Sequence, residues 1–190
     1  MLPDAECVKV VAEILDALNI GEYVIKLNHR ALLDGMFAAC GVPVDSFRSI
    51  CSAVDKLDKS PWADVRREMI EEKGLDETAA DKIGEYVRLS GGLELVETLL
   101  QNDQLKAVPS AVSGLEAMKL LLNYCKLLGL TNEIIFDLSL ARGLDYYTGV
   151  IYEAVLKSKF APVHSHREIN EIVLPFRRAS DSKRSHERCF

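Results

Sequence analysis

The spacing of apolar residues changes twice along this chain, and that change limits what the chain can fold into. In EYVIKLNHR (22–30), Tyr23, Ile25 and Leu27 alternate with Val24, Lys26 and Asn28, the two-residue repeat of a strand. From about Ser46 to Glu133 the spacing is helical in one segment after another. After Thr131 the short repeat returns. IIFDLSLA and VIYEAVL flank RGLDYYTG, which predicts two paired strands joined by that turn. A helical block between strand-bearing flanks predicts an α+β fold, with the block inserted into a sheet-based domain.

Local signals place the helices. Val8, Val11, Leu15 and Leu18 recur at helical spacing between Pro3 and Gly21, and ALLDGMFAACG (31–41) is a short helix stopped by Gly41 and Pro43. Inside the block, SFRSICSAVDKL comes first. SPWADVRREMIEEKG follows, with Ser60 predicted as its cap, Pro61 at the first helical position, Trp62 as a packing anchor and Gly74 as the stop. DETAADKIGEYVRLSGG and LELVETLLQ come next. Ser110 or Ser113 then opens a long helix to Leu128 that carries Leu115, Met118, Leu122 and Cys125 on one stripe. Ser113 and Glu116 have capping-box spacing.

Composition excludes several classes. No run of 18 uncharged apolar residues exists, so a membrane span is not expected, and the N-terminus lacks the pattern of a signal peptide. Five cysteines, an odd number without CxxC spacing, sit mostly among apolar residues. Buried free thiols and a reducing compartment follow as the expectation. Residues 1–156 hold 15 Lys+Arg against 25 Asp+Glu, whereas 157–190 hold 8 against 4 and three of the four histidines. A compositional break therefore falls near Lys157.

LARGLDYYTG (140–149) concentrates unusual chemistry. Arg142 carries a planar, permanently charged fork suited to carboxylate or phosphate oxygens. Tyr146 and Tyr147, adjacent on a strand, would face opposite sides, and Asp145 could hold the turn or orient Arg142. A plain hairpin with a surface Arg–Asp pair and core tyrosines accounts for the same residues, and spacing alone leaves both readings open.

LSLARGLDYYTGVIYEA closely resembles the histidine signature of the histidyl-tRNA synthetases, a class II aminoacyl-tRNA synthetase family, in its eukaryotic form. The resemblance extends through PDAECVKVVAEIL, LLDGMFAACGV, ICSAVDKLDK, MIEEKGLDETAADKIGEYV and GGLELVETLL. It implies part of an antiparallel-sheet catalytic domain (1–45 and 134–156) that carries an all-helical insertion domain (46–133) reaching toward the tRNA acceptor arm. It implies that Arg142 bridges the histidine carboxylate and the α-phosphate of ATP, and that Tyr146 and Tyr147 line the histidine pocket. The implied enzyme is a histidine–tRNA ligase. It would be a homodimer in the cytoplasm or mitochondrion, using histidine, ATP with Mg2+, and the histidine tRNA, with no protein-bound metal. A tRNA contact from the acidic helical block (11 Lys+Arg, 15 Asp+Glu) would need a local patch such as Arg66 with Arg67.

The family pattern is expected to stop at Leu156. The dimer-forming motif 1, the ATP-gripping motif 2 and motif 3 have no counterpart in this sequence, so the chain is expected to be a partial ligase, inactive by itself. Residues 157–190 form a non-family tail expected to be disordered. Its His164, His166, His186 and Cys189 do not match an established zinc spacing, and its RRAS (177–180) is a short kinase-like tetrapeptide. The alternative functional class is a non-catalytic synthetase-like regulatory module, or one that binds tRNA or protein.

Overall fold

The computed structural model describes residues 1–142 and 148–157. The opening amphipathic segment forms α1 (Leu2–Leu18), with Val8, Val11 and Leu15 buried, and ends at Asn19, whose φ of 48° lies in the left-handed region. Strand β1 (Tyr23–His29) follows and runs directly into α2 (Arg30–Ala39). The junction is His29. It is extended, and its imidazole accepts the Ala31 N–H at 3.2 Å, so the last strand residue also caps the helix.

The helical block contains α3 (Phe47–Val54), α4 (Trp62–Arg67), α5 (Glu77–Tyr86), α6 (Leu93–Gln101), α7 (Asp103–Lys106) and α8 (Pro109–Leu127). A 3-10 turn, Asp55–Asp58, continues α3, and a π-helical turn, Glu68–Glu72, continues α4. Two cap expectations fail. Helix α4 is capped by Pro61 without a side-chain bond, and α8 begins at Pro109 behind Val108, four residues before Ser113. A proline at the first helical position has no N–H that needs a cap, which explains the shift in α8. The apolar stripe of α8 is as expected: Leu115, Met118, Leu122 and Cys125 are buried. Trp62 also packs, its ring lying where a Cβ on Gly84 would be, with Arg88 stacked 5.3 Å from its centroid.

The block is helical except for β2 (Ser90–Gly91), which joins β3 (Ile134–Asp137), β1 and β4 (Val150–Leu156) in one sheet of order β2–β3–β1–β4. The sheet is antiparallel at two seams and parallel at the third, between β1 and β3. This corrects the expected hairpin: β3 and β4 are not neighbours, because β1 lies between them. Strand β3 also ends earlier than expected. The Asp137 carboxylate accepts the Ser139 N–H at 2.9 Å and the Ser139 hydroxyl at 2.6 Å, an Asx-type turn that competes with continued ladder bonding.

Residues of both flanks and of the helical block share one buried cluster, from Val8 and Ile25 through Met69 and Leu105 to Phe136 and Ile151. Its tightest point is the crossing of α2 with α8. A Cβ on Gly35 would lie 2.3 Å from the Ala111 backbone nitrogen, and one on Gly114 would lie 2.5 Å from that of Leu32. Backbone atoms cannot rotate aside as a side-chain tip can, so both positions require glycine. Gly114→Val is expected to destabilise the chain by about 1–3 kcal/mol or more through overpacking. Chemical denaturation should show this as a lowered midpoint, and an unchanged midpoint would disprove the steric reading.

Candidate functional site

The stretch that leads to Arg142 is fastened to the C-terminal end of β1 at two points. Buried Asn28 donates its side-chain amide to the Leu140 carbonyl at 3.0 Å, and the Arg30 backbone N–H donates to the Gly149 carbonyl at 2.8 Å. Leu140, after β3, and Gly149, before β4, are thereby both held at the end of β1. The buried Cys51 thiol of α3 lies 3.7 Å from the Ala141 carbonyl and adds a contact from the helical block.

Arg142 sits at the centre of a cluster of charges. Its Nη2 donates to Asp58 Oδ2, its Nη1 lies 3.1 Å from Glu153 Oε1, and its Nε lies 3.6 Å from Asp55 Oδ1. The other Asp58 oxygen is 3.6 Å from Lys26 Nζ, which is itself 3.2 Å from Asp137 Oδ2. Lys26 and Glu153 are also register partners across β1 and β4. Two cations, Arg142 and Lys26 of β1, thus face four carboxylates drawn from β3, β4 and the 3-10 turn after α3.

Burial makes this cluster energetically significant. Glu153 is only 3% exposed, and the Arg142 side chain 22%. Burial by itself would lower the Lys26 pKa, but Asp137, Asp58 and Glu153 outweigh it and hold the ammonium above its ordinary value. Removing one partner of such a buried group costs about 3–5 kcal/mol, because the remaining charge is left uncompensated.

Several expected site residues fall elsewhere. Asp145, Tyr146 and Tyr147 lie outside the described residues, as do the tail histidines, Cys189 and RRAS. Arg66 is paired with Asp81 and Glu77, both at 2.6 Å, and Arg67 with Asp64 at 3.0 Å, so the suggested basic patch is largely neutralised. Cys40, Cys51 and Cys125 are buried free thiols, whereas Cys7 is exposed. Burial pushes the Cys40 thiol up to about 12 and the Cys125 thiol to about 11, so neither is a nucleophile near neutral pH. Among the described residues no group of three or more His, Cys, Asp and Glu is arranged to hold a metal, and no helix is long and apolar enough to cross a membrane.

The partners of Arg142 were not singled out from the sequence. A signal was present: Lys26 and Glu153 are charged residues inside otherwise apolar strands, and a charge in such a place needs a partner. DKLD at 55–58 supplies the other two acids.

The fold matches that of a solved aminoacyl-tRNA synthetase. The chain superposes on the histidyl-tRNA synthetase of Nostoc sp. PCC 7120 with a TM-score of 0.73 and 31% identity, over 80% of this chain and 36% of that one. An ATP phosphoribosyltransferase regulatory subunit/histidyl-tRNA synthetase from Bacillus halodurans shares the fold at a TM-score of 0.65 and 17% identity, over 80% of this chain and 38% of that one. The histidyl-tRNA synthetase family model matches residues 1–165, and the chain belongs to that family. It is 57% identical over 164 residues to the cytoplasmic histidine–tRNA ligase of Takifugu rubripes, covering 86% of this chain and 32% of that protein. It is 56% identical over 156 residues to the mitochondrial histidine–tRNA ligase of Homo sapiens, covering 82% and 31%. The chain thus spans about a third of the length of the curated relatives it matches.

His29, at the end of β1, gives a pH test. Burial lowers its pKa below 6.5, and the opposing pull of Asp4 is smaller. A depressed folded value means that its stabilising contribution is present above the unfolded pKa and lost as pH falls below about 6.5. Thermal unfolding should show a midpoint that falls as pH drops below about 6.5. In His29→Asn, which keeps a capping side chain but does not titrate, that fall should be shallower. Identical profiles for the two proteins would remove His29 as the cause.

Proposed function

We propose that this chain supplies the histidine-signature segment and the helical insertion of a histidine–tRNA ligase. The observation that carries this reading is the family match over residues 1–165, within which Arg142 pairs with Glu153 of β4 and with Asp55 and Asp58 of the helical block. The reaction would join the histidine carboxylate to the α-phosphate of ATP, release pyrophosphate, and then pass the histidyl group to its tRNA. Arg142 would hold the substrate carboxylate against the α-phosphate and stabilise the negative charge that builds there, a task for preorganised charge rather than for a covalent nucleophile. Tyr146 and Tyr147 would line the histidine pocket, where a hydroxyl matched to the imidazole rejects amino acids without that ring.

Mg2+ is proposed as an ion carried by ATP rather than held by the protein. Residues 46–133 would act as the insertion that approaches the tRNA, anchored to the flanks by α8. A homodimer is the proposed assembly. Relatives named cytoplasmic and mitochondrial support either compartment.

The alternative, a non-catalytic synthetase-like module, has less support: likeness to the regulatory-subunit protein of Bacillus halodurans is 17%, against 57% to the Takifugu ligase. The test grafts residues 1–156 in place of the matching third of the Takifugu ligase and measures histidine-dependent ATP–pyrophosphate exchange. The graft should be active, and Arg142→Ala should lower its exchange rate by about 100-fold or more. Equal exchange with and without Arg142 would overturn this role. An inactive graft that still gives a salt-sensitive tRNA gel shift would favour the binding module.

A further inference from the structure

Arg142 sits on irregular backbone just beyond β3, without a strand ladder of its own, so its side chain must be oriented by its neighbours. Three of the charged groups around it rest on the sheet: Lys26 in β1, Asp137 in β3 and Glu153 in β4. The other two, Asp55 and Asp58, come from the 3-10 turn after α3. Asp55 is 44% exposed and stands 3.6 Å away, whereas Asp58 is 25% exposed and accepts a direct hydrogen bond. Asp58 is salt-bridged to both cations, with Oδ2 toward Arg142 and Oδ1 toward Lys26. A carboxylate held at both oxygens cannot rotate without losing one partner.

We propose that Asp58 is a positioning residue for Arg142, fixing the guanidinium from the helical block while Lys26 ties that carboxylate to the central strand. The proposal rests on the reading of Arg142 as the ligand of the reacting anions. A charge that must stabilise a transition state works best when it is already aimed before the reaction begins. Asp58 supplies that aim from outside the sheet, so the 3-10 turn of the helical block takes part in organising the reacting centre.

In the grafted ligase, Asp58→Ala should lower kcat for histidine-dependent exchange by about 10- to 100-fold while the histidine KM changes by less than about threefold. Asp58→Asn, which keeps an acceptor oxygen without the charge, should fall between. In an Arg142→Lys background, Asp58→Ala should cost nothing further in kcat, because the group it orients has already been replaced. An unchanged kcat in Asp58→Ala, with exchange abolished in Arg142→Ala, overturns the positioning role alone. Wild-type exchange in Arg142→Ala overturns the reading beneath it. A second measurement needs no activity: the Arg142 Nε–H NMR signal of the full chain. Asp58→Ala should speed its exchange with water by about tenfold or more while the β1 and β4 amide signals stay in place. An unchanged exchange rate would overturn the proposal.

Discussion

The crossing of α2 and α8 depends on two glycines, and the rest of the molecule is arranged around that contact. Gly35 lies against Ala111 and Gly114 against Leu32, so closely that neither position has room for a Cβ. The approach clamps the last helix of the helical block to the first helix after β1. Because His29 both ends β1 and caps α2, fixing α2 also fixes where the strand stops. That strand end holds the Leu140 carbonyl on Asn28 and the Gly149 carbonyl on Arg30. A steric constraint between two helices is thereby passed to the backbone on either side of the signature turn.

The helices and strand positions could be read from the sequence because periodicity depends on which face of an element is buried. The pairing of the strands could not. Alternation in IIFDLSLA and VIYEAVL shows that each is half-buried but says nothing of its neighbour, and their closeness in sequence made a hairpin the natural expectation. What decided otherwise is local. Asp137 turns its carboxylate onto Ser139 and ends β3 after four residues. β1 then pairs with all seven residues of β4 and takes the place a hairpin partner would have filled.

The site was legible in a different way. Arg142 was identifiable through resemblance, since neither its spacing nor its residue type separates it from a surface arginine. Its partners come from positions 55, 58 and 153 and meet it only in the folded chain. Long sequence separation hides such clusters from any local pattern. Lys26 and Glu153 are the exception in principle, because a charged residue within an apolar strand announces a need that the fold must meet.

A partly buried guanidinium such as that of Arg142 would be costly without counter-charge. Asp55, Asp58 and Glu153 keep it paired without a ligand. Lys26 steadies this arrangement, because the Asp58 carboxylate also faces an ammonium held above its ordinary pKa by Asp137, Asp58 and Glu153 against the effect of burial. The pairing of Lys26 with Asp58 thus holds that carboxylate from the sheet as well as from Arg142, and so ties the 3-10 turn after α3 to β1.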